Sequence, residues 1–376
     1  MPLLSLMLPL PDAHHHHHRA LLPPPACAAA APLPSPSCSR TLSSPLRTRR
    51  SSASSARTGL RVVSPDTSVT TDEGAQPGSA DNSSRWAEFA SRVSGEWDGF
   101  GADFTAAGDP VELPENVVPE AYREWGVQVL DWQTQCPTLA DPAAPCALHY
   151  RLVRLLPTVG CEADAATVHT SHQRHAASAA AFAYAAGGSY VAAWPRGPAP
   201  VLEVEHCVVR PGSAEARVRV VQTVALGKEA RLRGLKVFSE QWYGPFRNGE
   251  QLGGCAVRET AFAAGEKLDV AEVLGHWETT DAAAVRFSDE LDPETGKFAE
   301  LSPDEPSKLR READGVVALP KQLWSAFREH SDGEFLCEVG WALGGGTAVT
   351  SRCVLSKDGD VKEIAAAYES RLSGGT

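Results

Sequence analysis

Three histidines have the spacing in this chain that most resembles a metal site. The stretch HTSHQRH places His169, His172 and His175 at positions i, i+3 and i+6. On a helix these side chains would share one face, and imidazole is a common zinc ligand. The surrounding sequence is typical of strand and loop, where residues three apart point to opposite faces. We therefore predict no metal site, and a metal-dependent enzyme is the alternative that this cluster would support.

Two cysteines are placed so that they could form a regulatory disulfide. Cys136 and Cys146 flank the proline-rich loop PTLADPAAP, whose length lets two thiols approach each other. The chain has nine cysteines and no CxxC pair, which favours neither a zinc site nor a disulfide framework. The prediction is a set of ordinary thiols in a reducing compartment, with a redox role for this pair left open.

The common enzyme motifs are missing from the sequence. It contains no G-x-S-x-G nucleophile elbow, no P-loop and no H-E-x-x-H. The stretch GFGADF at 99–104 begins like a dinucleotide-binding loop, but it lacks the third glycine and a following helical pattern. We therefore predict a protein that is not an enzyme, with no catalytic residue, no cofactor and no metal.

Charge is distributed unevenly along the chain. The formal net charge is −12, yet residues 1–70 hold seven arginines and two acidic residues, which leaves 28 basic and 45 acidic residues in the remainder. The leader is rich in Ser, Pro and Arg, and its apolar start is too short and proline-broken for a secretory signal. We predict a chloroplast transit peptide at 1–62 and a flexible linker at 63–84.

The acidic remainder argues against nucleic acid as a partner, and no window approaches the ~20 apolar residues that span a bilayer.

Most of the remaining sequence alternates apolar and polar residues with the period of β-strands. Turn residues such as Pro211-Gly212 and Asn248-Gly249 separate these segments. An antiparallel meander of this kind removes its exposed edges by closing into a barrel. The fold class is therefore predicted as all-β, with two tandem antiparallel barrels at 85–264 and 265–376. The predicted strands are 147–156, 201–209, 216–226, 231–242, 282–291, 315–320, 334–343 and 347–356.

Helical periodicity is confined to short segments. At 85–93, Trp86, Phe89 and Val93 fall on one helical face, and 266–274 has a similar apolar pattern. The stretch QLWSAF at 322–327 favours a short helical piece. The last segment, 361–372, has helical propensity, although its first part could equally form a final strand.

The frame Val-x-Gly-x-Trp occurs twice, in VSGEWDGF and in VLGHWETT, each time after one of the longer helical segments. This opening is similar to that of the calycins, which are lipocalin-like small β-barrels. The resemblance implies that each Trp packs across the closed end of a barrel, often against an Arg from a late strand. Arg258 and Arg352 are candidates for that partner. The residues that the resemblance assigns to barrel closure are Gly95, Trp97, Gly275 and Trp277.

A longer resemblance covers nearly all of the chain after the leader. The segments WAEFASRVSGEWDGF, CALHYRLVRLLPTVG and ADGVVALPKQLWSAF resemble the plant and cyanobacterial double-calycin family long treated as a domain of unknown function. Its plant member is a biogenesis factor required for the chloroplast ATP synthase. The resemblance implies a non-catalytic assembly factor of the chloroplast stroma that contacts the beta and gamma subunits of the catalytic head. We expect a monomer without a membrane span, with peripheral association at the thylakoid left open.

Two aromatic stretches are the candidate contact sites for such partners. The stretches LPENVVPEAYREWGVQVLDWQTQ and SEQWYGPFRN combine aromatic side chains with nearby charge, as protein interfaces do. Packing in the core or at a barrel mouth is the alternative for each residue. The second barrel is also similar to the phycobilin-attaching lyases in its GVVALP segment, so a tetrapyrrole-binding or bilin-lyase-like calycin is the alternative function. The residues predicted to bind partners are Tyr122, Trp125, Trp132, Trp242, Tyr243, Phe246 and Arg247.

Overall fold

Strands dominate the computed structural model, which describes residues 79–159, 166–197, 200–213, 215–250, 260–287, 297–330 and 332–372. All of these residues belong to one compact unit, and the predicted transit peptide lies outside them. The α-helices in these ranges are α1 (Ser79–Val93) and α2 (Glu120–Glu124). The strands are β1 (Glu96–Thr105), β2 (Asp131–Gln135), β3 (Thr138–Ala140), β4 (Leu148–Leu155), β5 (Val168–His175), β6 (Ala181–Tyr184), β7 (Tyr190–Pro195), β8 (Val201–Val209), β9 (Ala216–Ala225), β10 (Arg231–Gly244), β11 (Gly275–Arg286), β12 (Phe298–Glu300), β13 (Ser302–Pro303), β14 (Lys308–Arg311), β15 (Val316–Leu319), β16 (Leu323–Glu329), β17 (Phe335–Gly344), β18 (Thr347–Leu355) and β19 (Val361–Arg371).

The strands form two sheets. The first runs in the order β12-β6-β7-β8-β9-β10-β1-β2-β4-β3, with β5 also paired to β4. Its pairs are antiparallel except for β12, which lies parallel to β6 and comes from the range predicted for the second barrel. The second sheet runs β13-β11-β19-β18-β17-β16-β15, with β14 paired to β11. The predicted all-β fold class is confirmed, with both sheets curled into half-barrels.

Each sheet curls around a concave face. In the first sheet, Arg174 on β5 reaches Glu205 on β8 at 3.1 Å, although five other strands lie between them along the sheet. Helix α1 packs over this face through Trp86 and Phe89, which contact the ring of Tyr184 at centroid distances of 5.0 Å. Side chains therefore cross the concave space directly, and it belongs to the interior of the protein.

The convex faces of the two sheets pack against each other. One apolar cluster joins Val220 of the first sheet with Leu323 and Val339 of the second. Polar contacts cross the same interface, since His206 Nδ1 lies 2.8 Å from Ser351 Oγ. This arrangement buries both faces of the central strands, as the burial of nearly every residue of β8 shows.

The repeated Val-x-Gly-x-Trp frame forms the same structure in both sheets. The indole Nε1 of Trp97 donates to the carbonyl oxygen of Val93 at 2.9 Å. In the second copy, Trp277 Nε1 donates to the carbonyl oxygen of Val273 at 2.8 Å. The glycine between them has a positive φ in each copy, 148° at Gly95 and 103° at Gly275, which favours glycine over residues with a Cβ. The shared spacing thus closes a local turn around a buried indole.

The short helical piece predicted at 322–327 and the segment 361–372, left open between helix and strand, both form strands. Residues 323–327 lie within β16, which pairs with β15 and β17. The segment 361–372 corresponds to β19, which pairs with β11 and β18. In both cases ladder hydrogen bonds and cross-strand packing override local helical propensity. Strand pairing of this kind depends on distant segments, which local periodicity does not reveal.

The remaining helical predictions differ in extent. Helix α1 confirms the segment 85–93 but begins at Ser79, inside the predicted linker. The segment 266–274 contains only a 3₁₀ turn, Val270–Glu272. No helix in the described part of the chain is both long and apolar enough to cross a membrane.

Candidate functional site

The segment between β1 and β2 carries the first group of predicted partner-binding residues. Leu113, Val118 and Trp132 form a small buried cluster beneath it, and Tyr122 packs on that cluster. The Tyr122 hydroxyl donates to the carbonyl oxygen of Thr158 at 2.8 Å, which ties the segment to the chain that follows β4. The segment is therefore supported from below by its own core.

Helix α2 ends in a turn that fixes the position of Trp125. The amide of Gly126 donates to the carbonyl of Arg123 at 3.1 Å, and the amide of Val127 donates to that of Tyr122 at 2.9 Å. These two bonds are the Schellman pattern, and Gly126 supplies the left-handed residue with a φ of 65°. The indole of Trp125 lies edge-on to the ring of Tyr122 at 6.1 Å.

Large apolar side chains are exposed mainly around this segment. Four large apolar side chains are exposed among the described residues: Trp125 at 63%, Val127 at 45%, Val111 at 44% and Val168 at 43% of full exposure. Three belong to the β1–β2 segment, and Val168 begins β5 beside His169, whose ring stacks on Trp132 at 4.8 Å. We call the three residues of the β1–β2 segment, Val111, Trp125 and Val127, the Trp125 surface.

Charged groups flank the Trp125 surface. Arg154 lies over the Trp132 ring at 5.5 Å and pairs with Asp103 at 3.3 Å. On the segment itself, Glu115, Glu120 and Glu124 are exposed. An exposed aromatic anchor with a charged rim on a rigid support is the composition of protein-binding sites.

The second predicted group lies elsewhere and is mostly used for packing. Trp242 packs against the core under α1, and its Nε1 donates to the carbonyl oxygen of Ser94 at 3.3 Å. Phe246 contacts His149 edge-on at 6.0 Å, while Tyr243 is half-buried. The Arg247 amide donates to Glu96 Oε1, and the Arg247 side chain is exposed. The contacts described for these residues hold the end of β10 against β1 and β4 and do not join them to the Trp125 surface.

The three histidines lie on β5, a strand, and do not share one face as they would on a helix. His175 stacks on His149, and His172, three residues before it in unbroken register, points to the opposite side of the strand. His169 lies at a register shift and stacks on Trp132. Within the described ranges, no three His, Cys, Asp or Glu side chains are grouped to hold a metal ion.

The two cysteines weighed for a disulfide are both free thiols. Cys136 is fully buried on the concave side, and this burial raises its thiol pKa to about 11. Cys146 is half-buried and has a left-handed backbone with a φ of 72°. A thiol with a raised pKa is a poor nucleophile at neutral pH, because the thiolate is the reactive form.

A buried charge network that sequence reasoning missed fills the first concave face. Glu205 accepts hydrogen bonds from Tyr150 at 2.5 Å and Tyr190 at 3.0 Å, and it pairs with Arg219 and Arg174, both at 3.1 Å. Burial alone would raise the pKa of this carboxyl, but the two guanidinium groups and the tyrosine hydroxyls lower it to about 2. Glu205 is therefore ionised and fully paired.

The same network reaches the first repeated tryptophan. Glu240 pairs with Arg217 at 2.7 Å and with Arg219 at 2.7 Å. The Arg217 guanidinium lies 4.1 Å from the centre of the Trp97 ring, a cation–π contact between two buried side chains. Glu240 and Arg217 face each other across β10 and β9, so opposite charges in register are the sequence signal that could have revealed the pair.

The second concave face repeats this arrangement. Arg311 pairs with Glu338 at 2.9 Å and Glu369 at 3.0 Å, and its guanidinium lies 5.5 Å from the Trp277 ring centre. Arg352, a predicted tryptophan partner, pairs instead with the two glutamates, at 2.9 and 2.6 Å. The other candidate, Arg258, lies outside the described residues. Both concave faces thus hold paired charges around a buried tryptophan.

Comparisons with known proteins assign no family. No family model matches this chain, and no curated protein matches it. Among solved structures, it is similar to a Nostoc punctiforme protein of unknown function from the DUF3598 family, at 14% identity and a TM-score of 0.45 over 77% of this chain and 99% of that chain. A Bacteroides fragilis protein described as an outer membrane protein matches at 7% identity and a TM-score of 0.15, over 76% of this chain and 99% of that chain. Similarity at these levels carries no inference about function.

Proposed function

We propose that this protein is a non-catalytic assembly factor that binds partner proteins through the Trp125 surface. The observation that carries the proposal is the concentration of exposed apolar side chains around one rigid segment, with Trp125 exposed by 63%. Exposed apolar residues that gather in one place mark interaction sites, whereas scattered ones are ordinary. Tryptophan is also among the residues that contribute most to binding energy at interfaces.

The identity of the partners comes from the sequence resemblance. On that basis we propose the beta and gamma subunits of the chloroplast ATP synthase as the partners and the chloroplast stroma as the location. A chain that holds both subunits at the same time would raise the effective concentration of each subunit toward the other. Exposed Glu115, Glu120 and Glu124 add a polar rim, which suits a contact that must be released once assembly is complete.

The contents of the concave faces favour protein binding over the alternative of a tetrapyrrole-binding calycin. In a calycin a small ligand occupies the space inside the barrel. Here charged side chains cross that space in both sheets, as Arg219 does between Glu205 and Glu240, and as Arg311 does between Glu338 and Glu369. A ligand in either place would have to displace buried ion pairs, which costs about 3–5 kcal/mol for each broken pair.

Capture from stroma tests the proposal. The immobilised full chain should recover both ATP synthase subunits, and Trp125→Ala should reduce the recovery of at least one of them at least about tenfold, since hot-spot truncations cost about 2 kcal/mol or more. Lys228→Ala is the control, because this exposed side chain lies between β9 and β10, outside both groups of predicted partner-binding residues. Failure of the wild-type chain to recover either subunit would overturn the choice of partners. Equal recovery by Trp125→Ala and wild type would overturn the choice of surface.

A further inference from the structure

A cleft opens where the convex faces of the two sheets separate. It encloses about 640 Å³ and lies between β7 and β8 of the first sheet and β11, β18 and β19 of the second. This volume falls within the range of small-molecule sites, about 300–1,000 Å³. The cleft is distinct from the concave faces, because it is bounded by the opposite side of both sheets.

Small side chains on the second sheet create the space. Ala283 on β11 and Ala366 on β19 are paired in register and both line the cleft. Across from them lie Val191 and Val208 of the first sheet, while Val349 of β18 continues the apolar wall. Strands favour β-branched and aromatic residues, so alanines here leave room that larger side chains would fill. The interior of the cleft is thus suited to an apolar chain.

The Ser351 hydroxyl, which lines the cleft, has no hydrogen to spare for an anion because of the side chains behind it. Gln222 Nε2 donates to Ser325 Oγ at 2.9 Å and to the Ala326 carbonyl at 3.0 Å, so its Oε1 accepts from His206 Nε2 at 3.2 Å. His206 Nδ1 is then an acceptor, and the hydroxyl of Ser351, which lines the cleft, donates to it at 2.8 Å. A charged head group would therefore find no partner among these residues.

Two arginines line the exposed part of the cleft. Arg92 lies in the last turn of helix α1, and Arg210 follows β8. Both side chains are exposed, and neither forms an ion pair with another described residue. The Arg210 guanidinium lies over the Trp341 ring at 5.6 Å, which limits its freedom. Asp281 is the one acidic residue among the described residues of the lining, so the lining carries a net positive charge on an otherwise acidic chain.

We propose that this cleft binds a long-chain apolar carboxylate, with its tail between the sheets and its carboxylate at Arg92 and Arg210. Apolar walls supply most of the affinity through burial of the chain. The arginines supply the preference for a carboxylate, since charge-assisted hydrogen bonds to guanidinium are about twice as strong as neutral ones.

A pair of fluorescent probes tests this site in the full chain. Parinaric acid and parinaryl alcohol share one tail and differ in the head group. Saturable binding of the acid is expected, with the alcohol about tenfold weaker. Arg210→Glu should remove this preference while leaving the alcohol unchanged, and Ala366→Trp should weaken both probes by filling the cleft. Trp125→Ala is the matched control and should bind both probes like wild type, which separates this site from the Trp125 surface.

Three outcomes would overturn the proposal. They are the absence of saturable binding, an acid affinity that Arg210→Glu leaves unchanged, and binding that Trp125→Ala rather than Ala366→Trp abolishes. Arg210→Glu changes an exposed side chain, so its result is informative even if Ala366→Trp fails to fold. Capture of ATP synthase subunits is a separate measurement, and its failure would leave this site unaffected.

Discussion

At the scale of single residues, the repeated tryptophans were predictable and their arginine partners were not. A glycine and a tryptophan at the same spacing, twice, predict two equivalent buried positions, and both indoles are fully buried. The stacking partners, Arg217 and Arg311, lie more than thirty positions further along the chain. Nothing in the local period distinguishes a buried arginine from a solvent-facing one, because both alternate with apolar residues in a strand.

Replacing Trp97 should destabilise the fold strongly. In Trp97→Ala the chain loses a buried ring, its hydrogen bond to Val93 and its contact with Arg217, so the free energy of unfolding should fall by about 3–5 kcal/mol. Urea denaturation of the full chain measures this, and the exposed Trp125→Ala is the matched control, expected to unfold like wild type. Equal midpoints for Trp97→Ala and wild type would show that the indole does not support the first sheet.

Two buried titratable residues, His206 and Asp98, contribute to the stability of the fold with opposite dependence on pH. Burial lowers the pKa of His206 from its ordinary 6.5 to about 4. Burial, reinforced by nearby Glu96 and Glu240, raises the pKa of Asp98 from 3.8 to about 6. Between these values the unfolded chain gains a proton at His206 that the folded chain excludes, and it releases one at Asp98 that the folded chain retains. The contribution of His206 to stability therefore rises with pH and that of Asp98 falls, each by up to about 1 kcal/mol per pH unit.

Removing either residue should expose the effect of the other. Relative to wild type, the unfolding free energy of His206→Gln should fall as pH rises from 4.5 to 6, while that of Asp98→Asn should rise. The pH range begins at 4.5 because Glu205 and Glu338 have pKa values lowered to about 2. At lower pH these two carboxyls dominate the pH dependence of the unfolding free energy. Denaturation curves across this range provide the slopes. Parallel slopes in the three proteins would contradict the assignment.

At the scale of elements, alternation located most of the strands, including 201–209, which coincides with β8. The alternation pattern failed where the local helical propensity of a segment disagrees with its pairing in the sheet. The stretch AAAY inside β19 has helical propensity, yet Ala365, Ala366 and Ala367 pair with β11, and the last two line its junction with the first sheet. Alanine is a poor strand former, and only the partner strands make this segment extended.

A glycine in β17 shows how closely the strands and rings of the second sheet fit. A Cβ on Gly340 would lie 1.9 Å from Trp324 Cζ2, so Gly340→Ala must displace that indole and should lower the unfolding free energy by about 1–3 kcal/mol. Gly187→Ala is the matched control, since nothing lies within 4 Å of the position that its added methyl group would take and no positive φ is required there. Thermal denaturation compares them. Similar melting temperatures for the two variants would show that Trp324 has room to move.

At the scale of the whole molecule, the packing of the two sheets was not predictable from the sequence. The alternation in β9 predicts one buried and one exposed face, but both are buried: Val218 and Val220 pack toward the second sheet, and Arg217 and Arg219 line the concave face. Charged residues in strands are ordinarily read as solvent-facing, because isolated buried charges are unstable. Here each is compensated by a glutamate from another strand, which only the three-dimensional arrangement reveals.

The candidate binding surface was predicted in part. The aromatic and acidic composition of 113–135 indicated an interface, and the structure exposes Trp125 there while it buries Trp132 beneath. The sequence could not separate these two tryptophans, since each occurs among polar residues. The helix end at Gly126 and the small core under Tyr122 decide which ring faces outward.

The most direct test of the account is the affinity of the full chain for the purified beta and gamma subunits of the chloroplast ATP synthase, measured by titration calorimetry. We expect wild type and Lys228→Ala to bind alike and Trp125→Ala to bind at least one subunit at least about tenfold more weakly, with unchanged stability. Absence of binding by wild type, or equal affinity in all three proteins, would contradict the proposal that the Trp125 surface holds ATP synthase subunits during assembly.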